Sequence, residues 1–264
     1  MCLIALALDA HPHYALVLAA NRDEFHHRPT AAADFWMDTP QIFGGRDLQG
    51  HGTWLAVTRR GRWAAVTNVR RMVPPDPAAP SRGQLVSDFL RSPESVADHA
   101  EMLRACVADY AGFNLLLGDG QAVCYVSNHA VTGAATVLQP IGNGIHAVSN
   151  DALDTPWPKL CSLRAQMQQW CQAGECDLRP LQAALQDDVQ AADEALPQTG
   201  VGLAMERFLS PIFIRGRDYG TRASTILTIS HKGVLSFDEW RWGAQGTSQG
   251  HTHQSWALDP VNPS

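Results

Sequence analysis

Two groups of strand-like segments, each followed by a pair of helical segments, constrain the fold of this chain most. The pattern lacks the regular alternation of one strand with one helix that parallel sheets require, so it predicts antiparallel sheets covered by helices. Strands are expected at residues 3–8, 14–20, 53–58, 63–68, 113–117, 122–127, 135–138, 145–149, 211–214, 223–230 and 234–240. Helices are expected from Ser81, from Ser92 with Pro93, from Pro156 capped by Asp154 or Thr155, and over residues 181–189.

This number of strands is too large for one flat layer. Two stacked sheets between two helical layers bury every apolar face, so the expected fold class is α+β, with a four-layer αββα sandwich of two antiparallel sheets. A single sheet in an ordinary α+β domain is the alternative. Residues 1–242 are expected to form one domain. The segment 243–264 is rich in Gly, Ser, Gln, His and Pro and is expected to be a flexible tail.

Composition excludes several classes of function. With 45% hydrophobic and 17% charged residues the chain is a globular protein, and a net charge of −6 argues against general nucleic-acid binding. No apolar run approaches the roughly 20 residues of a membrane helix, and no basic segment opens a signal peptide, so a cytoplasmic location is expected. The 11 histidines show no zinc spacing, and no dinucleotide fingerprint appears. Neither a metal nor a cofactor is expected, and the predicted partner is a small molecule.

Cys2 follows the initiator Met1 and opens the first apolar strand. If Met1 is removed, this one residue carries both a thiol and a free α-amine. An α-amine titrates near pH ~8 and can accept the thiol proton, which makes the pair a nucleophile with its own base. The competing interpretation is that Cys2 is a small packing residue.

The charged cluster of residues 21–24 lies where the second strand ends. In a hairpin that turns near residues 10–13, antiparallel pairing places residue 2 opposite residue 21 or 22, so Cys2 and the cluster should be neighbours. Asn68 and Asn150 also end predicted strands, where a side-chain amide can stabilise an oxyanion. Arg222 stands just before another strand. Each of these residues alone is equally compatible with an ordinary turn.

Arginines are concentrated between residues 59 and 82, where only one acid, Asp76, accompanies them. The cluster comprises Arg59, Arg60, Arg62, Arg70, Arg71 and Arg82. It is interpreted either as the solvated end of a hairpin or as a site for an anionic ligand. Trp54, with Trp36 and Trp157, is a candidate for apolar contact with such a ligand.

Several short motifs in this order resemble the NRDE family, also called the transport and Golgi organisation 2 family. They are Asn21-Arg22-Asp23-Glu24, Gly44-Gly45-Arg46-Asp47, Gly52-Thr53-Trp54-Leu55, Arg82-Gly83-Gln84-Leu85, Gly112-Phe113-Asn114-Leu115, Ser149-Asn150 with Thr155-Pro156-Trp157, and Tyr219-Gly220-Thr221-Arg222. The resemblance covers the chain to about residue 230. It implies a fold like that of N-terminal-nucleophile (Ntn) hydrolases, with Cys2 in the place of the nucleophile.

The resemblance also implies a set of site residues. Cysteine enzymes of that superfamily, such as bile salt hydrolases, surround the thiol with an arginine, an aspartate, two asparagines and a later arginine. The residues similar in kind and order here are Arg22, Asp23, Asn68, Asn150 and Arg222. The spacing departs from the usual R-N-x-D, because Arg22 and Asp23 are adjacent. Asn21, Glu24, Arg70 and Trp54 complete the candidate set as ligand contacts.

Two functions follow as hypotheses. The first is a cysteine amidohydrolase that cleaves a non-peptide C–N bond of a small amide. The second is a non-catalytic carrier of a hydrophobic anionic ligand such as haem or an acyl thioester, a role that the resemblance also suggests. Under the first hypothesis the Cys2 side chain should lie within about 8 Å of at least two members of the set Arg22, Asp23, Asn68, Asn150 and Arg222.

Overall fold

The computed structural model describes residues 2–70, 76, 78–129 and 136–259. The strands in these residues are β1 (Cys2–Leu8), β2 (Tyr14–Phe25), β3 (Thr30–Trp36), β4 (Thr39–Asp47), β5 (Leu55–Thr58), β6 (Trp63–Asn68), β7 (Phe113–Gly118), β8 (Val123–Ser127), β9 (Val137–Pro140), β10 (Gly144–Val148), β11 (Tyr219–Ser230), β12 (Val234–Trp242) and β13 (Ser248–Ala257). The α-helices are α1 (Arg82–Arg91), α2 (Val96–Leu103), α3 (Pro158–Ala173), α4 (Arg179–Ala184) and α5 (Leu203–Phe208).

These strands form two antiparallel sheets. The six-stranded sheet has the order β10-β1-β2-β11-β12-β13, and the seven-stranded sheet has the order β3-β4-β5-β6-β7-β8-β9. The sheets pack face to face around a central core that includes Leu6, Phe43 and Phe237. A second core joins the seven-stranded sheet to α1 and α2, and a third joins the six-stranded sheet to α3 and α4. The predicted α+β class and the αββα layering are therefore confirmed.

Strand β1 shows how the sequence specifies this layering. Ile4 and Leu6 point into the core between the sheets, whereas Leu3 and Ala5 pack beneath α3. Successive side chains of a strand point to opposite faces, so a strand that is covered on both sides needs an uninterrupted apolar run. All seven residues of β1 are buried. Cys2 shares the inward face with Ile4 and Leu6.

Three strands and one helix were missed in the sequence, and one predicted strand does not form. β3, β4, β13 and α5 were not predicted; β4 contains Pro40 and two glycines, which disfavour strands. Residues 211–214 are buried but irregular. Their backbone is held by neighbouring segments, as when the Phe213 N–H donates to the Asp187 carbonyl at 2.7 Å. A short run of apolar residues that is buried in an irregular segment was therefore mistaken for a strand.

Two helix starts were wrong by a few residues. Helix α2 begins after Ser95, whose hydroxyl accepts the Asp98 N–H at 3.1 Å, whereas Ser92 ends α1. Helix α3 begins at Pro158, not at Pro156. Helix α4 ends at Ala184, short of the predicted 189. Each error concerns a boundary and leaves the helix itself in place.

The expectation of a flexible tail was wrong for residues 248–257. They form β13, which pairs with β12 along its length. Trp256 anchors this strand, because its ring packs against Phe35 and Phe43 with centroids 5.5 Å and 5.6 Å away. Among the described residues, no helix is long and apolar enough to cross a membrane.

Candidate active site

The hairpin of β1 and β2 places Cys2 directly opposite Arg22. Their Cα atoms are register partners in the antiparallel ladder. Residues directly opposite each other on one face have Cβ atoms about 4.5–5.5 Å apart, so the thiol and the base of the Arg22 side chain are neighbours. The spacing of the hairpin predicted this juxtaposition.

Cys2 lies at a cavity of about 500 Å³, called the Cys2 cavity below. Its lining includes Cys2, Arg22, Asp23, Glu24, Arg28, Asp47, Thr53, Trp54, Asn68, Asp76, Arg82 and Gly83. Of the five residues expected around the thiol, Arg22, Asp23 and Asn68 are in this lining. Asn150 and Arg222 are not.

Burial dominates the chemistry of the thiol. Only 6% of Cys2 is exposed, and this burial raises the pKa of its thiol. The positive charge at the N-terminus and the guanidinium of Arg22 act in the opposite direction, whereas Asp23 and Glu24 add to the increase. The thiol is therefore protonated at neutral pH, and any reaction at Cys2 needs a base beside it.

Arg22 is fixed in a cluster of alternating charges. Its Nη1 donates to the Thr30 hydroxyl at 3.3 Å, and its Nη2 lies 3.9 Å from Glu24 and 3.8 Å from Asp47. Arg28 closes the cluster with an Nη2 to Asp47 distance of 2.8 Å. Arg28 and Asp47 were missing from the predicted site, although Asp47 ends one of the family motifs.

A buried lysine that was absent from the predicted site acts on Asp23 through its charge. Its Oδ1 accepts a hydrogen bond from the Thr221 hydroxyl at 2.8 Å. Burial raises the pKa of the Asp23 carboxyl, and the charge of Lys159 is the largest influence that lowers it. Lys159 is itself buried and donates to the Leu209 carbonyl at 3.1 Å. Its position four residues before Leu163, on the apolar side of α3, was the signal available in the sequence.

Burial also makes the Lys159 ammonium group easier to deprotonate. Desolvation lowers the pKa of the Lys159 ammonium group to about 8, and the carboxylate of Asp23 opposes the decrease. A lysine with this pKa sits close to neutrality and can respond to small changes in its surroundings.

The two asparagines lie together but have different roles. The Asn150 amide donates to the Asn68 carbonyl at 2.8 Å, and the Ser149 hydroxyl donates to the Cys2 carbonyl at 3.0 Å. Asn150 therefore ties the end of β6 to the segment that follows β10. Within the described chain the Asn68 side chain makes no hydrogen bond, and it faces the Cys2 cavity. Its amide is free to donate to a ligand.

Three other candidate residues are engaged elsewhere. Asn21 lies on the opposite face of β2 from Cys2, where its amide donates to the Leu185 and Ile212 carbonyls at 2.8 Å and 2.9 Å. The structure therefore does not bring the Asn21 side chain to the Cys2 cavity. Arg222 donates to the Phe25 carbonyl at 2.8 Å and lines a separate small cavity.

Arg70 forms a buried ion pair with Glu206, in which Nη1 and Oε2 are 2.6 Å apart. Its guanidinium also lies 4.8 Å from the centre of the Trp157 ring. Glu24 and Trp54, by contrast, line the Cys2 cavity.

The arginines of residues 59–82 do not form one site. Arg59 stacks on the Phe35 ring at 3.8 Å and Arg62 on the Phe89 ring at 3.7 Å. Arg71 lies outside the described residues. Of the described arginines in this cluster, Arg82 lines the Cys2 cavity, and burial lowers the pKa of its guanidinium.

A larger and mostly apolar cavity of about 1030 Å³, the outer cavity, adjoins the Cys2 cavity. Its apolar wall consists of Phe25, Val69, Tyr110, Val201, Met205, Phe208, Leu209 and Tyr219. The two cavities share Glu24, Arg28, Asn68, Asp76, Ala79, Arg82 and Ala111. A charged chamber at the thiol thus opens into an apolar one.

The four-layer sandwich has the fold of the N-terminal-nucleophile hydrolases. A solved structure with this fold, the N-acylethanolamine-hydrolyzing acid amidase ortholog of Caenorhabditis elegans, has a TM-score of 0.51 to this chain. It is 9% identical in sequence, and the match covers 86% of this chain and 92% of that one. At this identity the likeness concerns the fold alone.

The chain belongs to the Transport and Golgi organisation 2 family, which it matches over residues 1–244. The homolog from Bos taurus is 35% identical over 259 residues, covering 90% of this chain and 92% of the bovine protein. The homolog from Mus musculus is 32% identical over 273 residues, covering 96% and 97% of the two chains. The resemblance drawn from the motifs is confirmed.

Proposed function

We propose that this protein is an Ntn-type cysteine amidohydrolase that cleaves the C–N bond of a small amide carrying an apolar group. The observation that carries the proposal is the position of Cys2, which lies in a cavity with the Asn68 side chain and opposite Arg22. The membership of the family and the likeness of fold are compatible with this activity but do not define it.

The reaction would begin at a neutral thiol. After removal of Met1, the α-amine of Cys2 would accept the thiol proton as sulfur attacks the amide carbon. The proton would then pass to the leaving amine, and water would hydrolyse the thioester to release the acid. The Asn68 amide would donate to the oxyanion of the tetrahedral intermediate. Asp23, which lines the same cavity as Cys2, would orient the amine.

The outer cavity supports an apolar group on the substrate. Its wall of aromatic and aliphatic side chains meets the Cys2 cavity at Asn68 and Arg82. A carbonyl held at Asn68 would place the polar half of the substrate beside Cys2 and an apolar half against Phe208 and Tyr219. Burial of apolar surface contributes about 25 cal/mol per Å², so longer apolar groups should bind more tightly.

The first test is chemical. Intact mass should show removal of Met1, and iodoacetamide should label Cys2 in the native protein. Cys161 and Cys176 are exposed and serve as internal controls, because they should react equally in the wild type and in Cys2→Ala. Complete retention of Met1 would contradict the mechanism, since Cys2 would then have no free amine.

The second test is enzymatic. A series of acyl p-nitroanilides of increasing chain length should be cleaved with rising kcat/KM. Cys2→Ala should abolish turnover, and Asn68→Ala should lower kcat by about 10²–10³-fold through loss of the oxyanion donor. Cys161→Ala is the matched control and should retain full activity. Equal turnover by Cys2→Ala and wild type would overturn the proposal.

A carrier of a hydrophobic anionic ligand is the second candidate. It is favoured by the size of the outer cavity and by Arg28, Arg70 and Arg82 in its lining. Spectral titration with haem, or fluorescence titration with an acyl thioester, tests it directly. Ligand affinity and biological function that both survive in Cys2→Ala would favour the carrier over the enzyme.

A further inference from the structure

A third cavity, of about 180 Å³, lies where the two sheets meet at one end of the sandwich. Residues from β2, β3, β11 and β12 surround it. We call it the arginine chamber, because its lining contains Arg22, Arg222 and Arg241, together with Thr30, Trp54 and Glu239. None of the candidate functions uses this cavity.

Two of its three guanidinium groups are held by neutral oxygens rather than by carboxylates. Across the described part of the chain, neither Arg222 nor Arg241 forms an ion pair; both bond to neutral oxygens. Arg222 donates to the Phe25 and Arg28 carbonyls at 2.8 Å and 3.2 Å. Arg241 donates to the Thr252 hydroxyl at 2.7 Å. These bonds hold the cations in place without neutralising them.

The third guanidinium, that of Arg22, adds to the positive charge of the arginine chamber. Burial lowers the pKa of Arg222, and repulsion by Arg22 lowers it further. The carboxylates nearest to Arg22 are those of Glu24 and Asp47, at 3.9 Å and 3.8 Å, and both line the Cys2 cavity. Glu24 partly offsets the repulsion at Arg222, because its charge raises the pKa of that guanidinium.

Glu239 is the one acid among the described residues of the lining. It is 3% exposed, and its Oε1 accepts the Ala33 N–H at 2.9 Å. Burial raises the pKa of its carboxyl, whereas the Ala33 N–H and the charges of Arg241 and Arg22 lower it. Among the described residues of the lining, three guanidinium groups face one carboxyl, so the chamber is positive.

We propose that the arginine chamber binds a small oxyanion, a carboxylate or phosphate group. Guanidinium groups bind both through paired N–H donors, and those in the chamber are already oriented. The volume is several times the roughly 30 Å³ that one water occupies in the liquid, which suits such a group and its hydration. Arg22 and Trp54 line both this chamber and the Cys2 cavity. The oxyanion is therefore either a free anion or one end of a substrate bound at Cys2.

Inorganic phosphate is the first probe, measured by calorimetry and by thermal shift against sodium chloride at matched ionic strength. Saturable binding is expected, and Arg241→Gln should weaken it about tenfold or more through loss of a charge-assisted contact. Glu239→Gln should strengthen it, because it removes the competing negative charge. Arg104→Gln, an exposed arginine at the end of α2, is the control and should bind as the wild type does.

Arg222→Gln provides a second test if Arg241→Gln fails to fold. Cys2→Ala should bind phosphate normally, which separates this proposal from the proposed hydrolase activity. Absence of saturable binding, or equal weakening by Arg104→Gln, overturns the proposal.

Hippurate and its neutral amide, hippuramide, then distinguish the two sources, with Cys2→Ala used to prevent turnover. Tighter binding of hippurate, lost in the Cys2→Ala/Arg241→Gln double variant, would assign the oxyanion to a substrate. Equal binding of the two, with phosphate bound, would assign the chamber to a free anion.

Discussion

The buried ion pair of Arg70 and Glu206 offers the sharpest test of how the outer cavity is built. The two side chains are 4% and 5% exposed, and Nη1 lies 2.6 Å from Oε2. Glu206 also accepts the Thr199 N–H at 2.8 Å and the Thr199 hydroxyl at 2.6 Å. The other two nitrogens of the Arg70 guanidinium have no hydrogen-bond partner among the described residues.

Glu206→Ala should therefore lower the free energy of unfolding by about 3–5 kcal/mol, because it leaves the Arg70 cation buried without a counter-charge. Urea unfolding followed by circular dichroism measures the change. Asp193→Ala is the matched control. Asp193 is the exposed partner of Arg207, which lies next to Glu206 on α5. Its removal should change stability little.

The double variant Arg70→Met/Glu206→Leu tests the cause. If the loss comes from an unpaired buried charge, replacing both residues by apolar ones should recover most of the stability. The reasoning is refuted if Glu206→Ala and Asp193→Ala unfold at the same urea concentration.

Two further predictions concern the neighbourhood of the site. Desolvation lowers the pKa of Lys159 from 10.5 to about 8, so between these pH values the unfolded chain binds a proton that the folded chain has released. This residue therefore makes the folded state more stable as pH rises through that window. Lys159→Met should remove this contribution. Identical pH slopes of the unfolding free energy for the variant and the wild type would contradict the prediction. Gly52→Ala should destabilise by about 1–3 kcal/mol, because a Cβ atom there would lie 2.3 Å from the carbonyl carbon of Gly83. Gly120→Ala, with no atom within 4 Å of its Cβ, is the control in thermal unfolding, and equal melting temperatures would refute the argument.

Local spacing allowed the core of the site to be predicted. The position of Cys2 opposite Arg22 follows from the length of one hairpin, and the αββα layering follows from which strands are apolar on both faces. Both depend on residues close in sequence or on the period of a single strand. Such patterns are readable without knowing how distant segments pack.

The errors arose where a shift of one residue along a strand sets the direction of a side chain, or where a contact between distant segments sets its partner. In a strand, adjacent residues point to opposite faces, so Asn21 turns away from the cavity that Arg22 lines. Arg222 stands at a register shift between β2 and β11, between Thr221 and Ala223, and such a bulge redirects a side chain.

Lys159 is 136 positions from Asp23 along the chain (159 − 23), so no local pattern indicated that their charges interact. The available cue was a lysine on the apolar side of a predicted helix. This cue marks an unusual position but does not identify the residue that interacts with it.

The strand order has a consequence for the timing of folding. The seven-stranded sheet joins β3 to β9 in the order of synthesis, so each strand meets a neighbour that has just been made. The six-stranded sheet places β1 between β2 and β10, and β2 against β11, which starts at residue 219. Loop closure over such separations is slow. We therefore expect the seven-stranded sheet to fold while the chain is still emerging from the ribosome. Among the described strands, the one that carries Cys2 is made first, yet its sheet is completed only after β13 has been made.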